Sequence, residues 1–290
     1  LTVGNLMKEA GYRTGLVGKW HLGGYDPEAI PNNRGFDEFY GWLTSNGNTH
    51  NYYPSQRYRN EEVYDIPENQ DGKQGVYMTD KCTDEAISFI KNNSDKPFFL
   101  YLAYNNPHVP LVVPDLGPYA DKDWIDNNKI YAAMIHRLDQ NIERLMQSLK
   151  DQGMDENTIV FFCSDNGPRG NYSRELTDLA EFFDSNGPLH GFKRDLYEGG
   201  IRVPMIVRWP GKIKPGSVSD IPWYFTDLMP TLADLAEVSV PEVADGVSVL
   251  PVLLDEEYAH EDRYLYWEFY ERGYKQAVRW KNWKGIWFKQ

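Results

Sequence analysis

Three segments constrain the fold of this chain more than any other feature: FFLYLAY at 98–104, an amphipathic stretch from Lys129 to Gln152, and TIVFFCS at 158–164. The first and last are short, continuous apolar runs rich in aromatic and β-branched residues. Such runs predict strands buried on both faces. Between them Ile135, Leu138, Ile142, Leu145 and Leu149 recur at spacings of three and four, with Gly153 at the end. That pattern predicts an amphipathic helix with a glycine stop. Two further apolar runs, Thr14 to Val17 and Met205 to Arg208, read as strands. Thr2 to Ala10 (with Thr2 as cap), Asp80 to Asn92 (with Ala86, Phe89 and Ile90 on one face) and Asp227 to Glu237 read as helices. Strands alternating with helices predict an α/β sandwich around a mainly parallel sheet. Gly24 to Gly75 reads as loop-rich. Beyond Asp262, the segments RYLYWEFY, YKQAVRW and WKGIWF, separated by short turns, predict an antiparallel meander.

A chain of 290 residues can bury a sizeable core, as one large domain or as a domain plus a smaller piece. No apolar run approaches the roughly 18 residues of a membrane span, so no membrane insertion is expected. The formal net charge is -13, so the surface as a whole should repel nucleic acid. Any anion site must therefore be a local cationic pocket. Cys82 and Cys163 provide neither a disulfide framework nor a metal-binding spacing.

Each apolar run is followed at once by turn-forming, chemically capable residues. Thr14 to Val17 leads into GKWHLG, with Lys19 a compact cation and His21 a proton carrier. Phe98 to Tyr104 leads into NNPHVP and His108, and Thr158 to Ser164 leads into Asp165, Asn166 and Gly167. Open α/β sheets bind ligands outside the carboxyl ends of their strands. If these strands are parallel in one sheet, Lys19, His21, His108, Asp165 and Asn166 reach one rim. Taken singly, Asp-Asn-Gly also makes a plain turn, His108 a packed loop residue, Lys193 a surface lysine and Glu198-Gly199-Gly200 a hairpin turn.

Taken together, GYRTGLVGKWHLG, RGFDEFYG, NNPHVP, SDNG and HGFKRDLYEGGIRVP, in this order, resemble the type I sulfatases of the alkaline-phosphatase-like superfamily. TDLMPTLADLAE and DGVSVLPVLL extend the resemblance over nearly the whole chain. It implies an α/β/α sandwich over residues 1–261, lacking an N-terminal segment, and over 262–290 the start of a small antiparallel C-terminal subdomain, incomplete. The implied reaction is hydrolysis of an aryl or carbohydrate sulfate monoester. Asp165 and Asn166 would be oxygen ligands of a calcium ion. Lys19 and Lys193 would bind sulfate oxygens, with Lys193 also close to the ester oxygen. His21 would orient and deprotonate the catalytic hydroxyl, and His108 would contact substrate and help protonate the leaving alcohol.

The family's nucleophile, a formylglycine made from Cys or Ser in a Cys/Ser-x-Pro-x-Arg motif, is not legible here, and neither is its upstream aspartate pair. Cys82 precedes Thr83-Asp84-Glu85 and Cys163 precedes Ser164-Asp165-Asn166. The chain therefore reads as a fragment, inactive alone, whose complete form needs a formylglycine-generating or anaerobic maturation enzyme. The resemblance implies a periplasmic, secreted or lysosomal protein acting on a sulfated small molecule or glycan. Two alternatives share these motifs: a phosphodiesterase or phosphonate monoester hydrolase of the same superfamily, and a non-catalytic anion-binding homologue. Tyr52, Tyr53 and Tyr172, in loops near the expected rim, would suit stacking on a sugar or packing of the loops themselves.

Overall fold

The computed structural model describes residues 1–24, 26–44, 50–170, 179–259, 262–271 and 273–289. In chain order the helices are α1 (Val3–Glu9), α2 (Met78–Asn92), α3 (Asp126–Asp151), α4 (Leu179–Phe182), α5 (Glu198–Ile201), α6 (Leu228–Leu235) and α7 (Leu250–Leu253). The strands are β1 (Arg13–Lys19), β2 (Glu38–Trp42), β3 (Gln56–Arg59), β4 (Glu62–Asp65), β5 (Phe98–Ala103), β6 (Val160–Cys163), β7 (Met205–Arg208), β8 (Tyr264–Phe269), β9 (Lys275–Trp280) and β10 (Trp283–Phe288). They pack as two compact units, one of residues 1–158 with 224–250, the other of residues 159–223 with 251–290.

The first unit is built on a sheet in the order β4-β3-β2-β1-β5. Its centre is parallel, β1 pairing with β2 on one side and β5 on the other, and the β3-β4 hairpin continues it antiparallel. Alternation along the strands sorts side chains to two faces. Val17, Leu100 and Leu102 pack with Met78 and Cys82 of α2. On the opposite face Phe99 meets Leu6 and Met7 of α1 and Leu232 and Ala233 of α6. Helices thus cover both faces, the α/β/α arrangement that the alternation of elements predicts. The first helix starts at its predicted cap: the Thr2 hydroxyl oxygen accepts from the Gly4 N–H at 3.1 Å, and the Asn5 side chain accepts in return from the Thr2 N–H at 3.0 Å.

Three local expectations change. The stretch read as loop, Gly24 to Gly75, contains β2, whose residues Phe39 to Trp42 are all buried. Its five residues, EFYGW, hold three aromatics but sit among Asn, Pro, Tyr and Gly, and parallel pairing with β1 is what makes the segment a strand. β5 is an edge strand among the described residues, so it is half-buried, and Tyr101 is 46% exposed. The predicted apolar stripe of α3 holds only in part: Leu149 is buried and Leu138, Ile142 and Leu145 are half-buried, but the buried face also takes in polar residues. Met134, Asn141 and Ser148 are buried, while Ile135 is 43% exposed. The cause is a polar seam against α2. Arg137 Nη2 lies 2.6 Å from Asp80 Oδ2, and Asn141 Nδ2 donates to Asp80 Oδ1 at 2.8 Å. That seam rotates the helix toward its polar side.

In the second unit β6 pairs antiparallel with β7 as a two-stranded sheet, so the parallel strand expected at 158–164 runs instead in an antiparallel pair of matched four-residue strands. The predicted meander is present: β8, β9 and β10 form an antiparallel sheet in the order β10-β9-β8. Tyr172 lies outside the described residues.

Candidate active site

In the first unit, β1 delivers Lys19 and His21. The strand can end this way because Gly18 takes φ 110°, a conformation glycine adopts freely. A Cβ there would also lie 2.0 Å from the Ala103 carbonyl oxygen of β5. Pairing with the neighbouring β2 continues past the strand: the Trp20 N–H donates to Trp42 O and the His21 N–H to Leu43 O, both at 3.0 Å. Trp20 is buried, its indole N–H donating to Ala29 O at 2.8 Å. Lys19 is half-buried and His21 exposed. Partial desolvation of the ring, and then the positive charge of Lys19, hold the His21 imidazole below its ordinary 6.5. A neutral ring near pH 7 is a proton acceptor.

Parallel pairing of Gly18 with Ala103 makes both chains leave the sheet at the same end, and His108 follows five residues after Ala103. The turn is closed by the His108 N–H donating to Asn105 O at 2.7 Å. The Tyr52 hydroxyl sits 2.8 Å from His108 O and 3.1 Å from Asn105 O, buttressing both carbonyls. His108 Nδ1 lies 2.8 Å from Val109 O. A carbonyl can only accept, so this contact puts a proton on Nδ1. The His50 ring stacks on His108 at 4.1 Å between centroids, with 17° between planes. The sequence did not single out His50, since nothing in NTHNYYP marks a partner 58 residues away. Tyr52 is 0% exposed and stacks on Tyr77, so it packs the core and does not present a face to a sugar. Tyr53 also packs against Tyr77.

In the second unit, β6 leads into a tight loop. The Ser164 hydroxyl donates to Asn166 O, and Asn166 Nδ2 donates to Gly167 O, both at 3.0 Å. That fixes the amide so that its Oδ1 is the outward acceptor. The Gly167 N–H donates to Gly200 O at 3.0 Å and the Lys193 N–H to Pro168 O at 2.8 Å. A Cβ on Gly167 would meet Gly199 O at 1.9 Å, so the two loops run in backbone contact. Asp165, Asn166 and Lys193 are therefore carried together. One carboxylate and one amide oxygen are hard donors of the kind calcium takes. Among the described residues no three His, Cys, Asp or Glu side chains gather as a metal set.

Neither cysteine is a candidate nucleophile by environment. Burial pushes the Cys82 thiol up to about 12, and burial together with Asp165 raises Cys163.

Comparison with known proteins identifies the family of the chain. The sulfatase family model matches residues 1–238, and a second model, the C-terminal region of N-sulphoglucosamine sulphohydrolase, matches residues 189–290. The chain belongs to the sulfatase family. It is 34% identical over 286 residues to an arylsulfatase of Hemicentrotus pulcherrimus, covering 92% of this chain and 48% of that protein. It is 34% identical over 269 residues to the N-acetylgalactosamine-6-sulfatase of Homo sapiens, covering 86% and 47%. The crystal structure of Ps i-CgsB in complex with k-i-k-neocarrahexaose superposes with a TM-score of 0.81 at 31% identity, covering 98% of this chain and 64% of that one. The chain spans about half the length of the two sequence relatives.

Proposed function

We propose that the complete protein hydrolyses a sulfate monoester, with water, to an alcohol and inorganic sulfate. The observation that carries this reading is the delivery of Lys19, His21 and His108 from one end of two paired parallel strands, in a chain of the sulfatase family. Lys19 and Lys193 bind and neutralise sulfate oxygens, and Lys193 also faces the charge that develops on the ester oxygen. His21, held neutral, takes up a proton. His108, as the imidazolium with its Nδ1–H held by Val109 O, gives its Nε2 proton to the departing alcohol and is left neutral. Asp165 and Asn166 would hold a calcium ion, which when bound adds positive charge to the sulfate. The nucleophile, formylglycine in this family, and the enzyme that matures it belong to this reading as features of the complete protein.

The substrate class is a sulfated glycan or aryl sulfate, the glycan supported by the neocarrahexaose named in complex with Ps i-CgsB. We further assign residues 1–261 to the catalytic domain and 262–290 to a C-terminal antiparallel subdomain. No helix among the described residues is long and apolar enough to cross a membrane. A periplasmic, secreted or lysosomal location completes the proposal.

The test is an assay of the complete, matured protein on aryl sulfates and sulfated oligosaccharides, beside matched phosphate esters. Sulfate release that Lys19→Ala reduces by about a hundredfold or more supports the reading. Cleavage of phosphate esters with no sulfate ester turnover overturns it.

A further inference from the structure

The loop that carries Lys193 is held by residues far along the chain, on one face of the C-terminal sheet. Alternation along β9 puts Lys275, Ala277 and Arg279 on one side of that sheet. Register places Lys284 of β10 directly opposite Arg279. Two cations paired across neighbouring strands repel unless an anion lies between them. Glu198, first residue of α5, supplies that anion: Lys284 Nζ is 2.7 Å from Glu198 Oε1, and Arg279 Nη1 is 3.3 Å from Glu198 Oε2. All three side chains are mostly shielded, Lys284 being 15% exposed.

The same face reaches the residue next to Lys193. Lys275, itself buried against the Phe269 ring, donates from Nζ to Arg194 O at 2.9 Å. Arg194 has φ 79°, a left-handed conformation costly for a side chain with a Cβ. Its Nε lies 2.7 Å from Glu271 Oε1, in the turn between β8 and β9. A strained residue persists only where its surroundings over-determine it, and here both its carbonyl and its guanidinium are gripped by the C-terminal sheet. Relaxation of Arg194 would rotate the Lys193–Arg194 peptide and displace the Lys193 ammonium.

We propose that Lys275, together with the Glu198 clamp formed by Arg279 and Lys284, is a set of positioning residues that aims Lys193 in the sulfatase reaction. This rests on the functional reading above for the role of Lys193, and on geometry alone for the holding of its loop. The grip extends to the Asp165–Asn166 loop, since the Gly167 N–H donates to Gly200 O and the Lys193 N–H to Pro168 O.

The experiment uses the complete, matured protein with Lys275→Met, Lys284→Met, Lys284→Arg and Glu198→Gln, each alone and, for Lys275→Met, combined with Lys193→Ala. Two readouts are taken: kcat and KM on an aryl sulfate, and the rate of tryptic cleavage after Lys193 and Arg194, followed by mass spectrometry. The expected result is a fall in kcat of about tenfold or more for Lys275→Met and Lys284→Met, with KM within about twofold. Lys284→Arg, which keeps the cation, stays within about threefold of the parent. The double variant Lys193→Ala/Lys275→Met should be no slower than Lys193→Ala alone, because a positioning residue has nothing left to position. Tryptic cleavage at the pair should speed up about tenfold in Lys275→Met.

Unchanged kcat in Lys275→Met and Glu198→Gln overturns the proposal, and so does full additivity in the double variant. If Lys275→Met fails to fold, Lys284→Met and Glu198→Gln, at more accessible positions, decide it by the same kcat criterion. If Lys193→Ala itself leaves sulfate turnover intact, the functional reading of Lys193 fails. The proteolysis result then still reports whether the sheet holds the loop.

Discussion

The two units hold their candidate site residues in different ways. Lys19, His21 and His108 leave the ends of β1 and β5, which pair residue for residue from Arg13 with Phe98 to Gly18 with Ala103. Asp165, Asn166 and Lys193 sit on two loops that touch through backbone hydrogen bonds and are gripped by strands 81 and 86 residues further along the chain. The first arrangement is fixed by a ladder whose geometry is local and repetitive. The second depends on a few long-range contacts, each separately breakable. Strand ends therefore give positional precision cheaply in sequence terms, whereas a loop site must borrow rigidity from elsewhere.

The largest effect that would break this comparison is at Gly18. Gly18→Ala places a Cβ 2.0 Å from Ala103 O at φ 110°, so the β1–β5 ladder must shift. A loss of about 3 kcal/mol or more in the first unit is expected from strain and overpacking together. Urea denaturation followed by amide exchange in β1 measures it. A cost under about 1 kcal/mol would mean that the ladder does not fix the strand ends as described.

Next in size is the seam between α2 and α3. Asp80→Ala strands Arg137 and Asn141, which lie 2.6 and 2.8 Å from its carboxylate. The expected loss is about 2 kcal/mol. The control Ile135→Ala, on the exposed side of the same helix, should change stability by less than about 1 kcal/mol. Equal losses would restore the apolar stripe as the packing face.

A smaller effect concerns His21. Removing the nearby cation with Lys19→Met takes away the second cause of its lowered pKa, leaving partial desolvation. The His21 ring should then titrate at higher pH than in the parent, which an NMR titration of its ring protons would show. A midpoint that does not move would detach Lys19 from His21 electrostatically.

The smallest concerns Asp37. Burial alone would raise its carboxyl, but hydrogen bonds from Lys8 and from the backbone and hydroxyl of Thr14 outweigh it and hold the group below its ordinary 3.8. A depressed folded-state pKa stabilises above the unfolded value, and that contribution is lost as pH falls through the folded one. Unfolding free energy should therefore drop on acidification below pH about 4, and Asp37→Asn should flatten part of that drop. An identical slope in the variant would remove Asp37 from the acid response.

The two arrangements also differed in how far they could be read from the amino-acid sequence. The pattern of apolar runs predicted β1, β5, α2 and the C-terminal meander, because period and length carry those elements. It also placed His108 just past its strand, whereas β1 runs on through Gly18 so that Lys19 is its last residue. β2 escaped because its burial comes from parallel pairing with a strand more than twenty residues earlier, which no local period encodes. Leu149 was foreseen, but the polar part of the buried face of α3 escaped because Asp80, Arg137 and Asn141 satisfy one another, so Asn141 turned inward and Ile135 outward. His50 and Lys275 escaped for the same reason. A ring stacked across 58 residues and a lysine reaching a carbonyl 81 residues back leave no mark in spacing.

The measurement that tests the account most directly is the dependence of the His108→Ala defect on leaving group in the complete enzyme. In the proposed role His108 acts as the imidazolium, its Nδ1–H held by Val109 O and its Nε2–H given to the departing oxygen. For a nitrophenyl sulfate, whose leaving group needs little help, His108→Ala should lower kcat/KM by about tenfold at most. For a sugar or alkyl sulfate the loss should reach about 10² to 10⁴. A defect of the same size for both leaving groups would contradict the role given to His108, and with it the chemistry assigned to the paired strand ends.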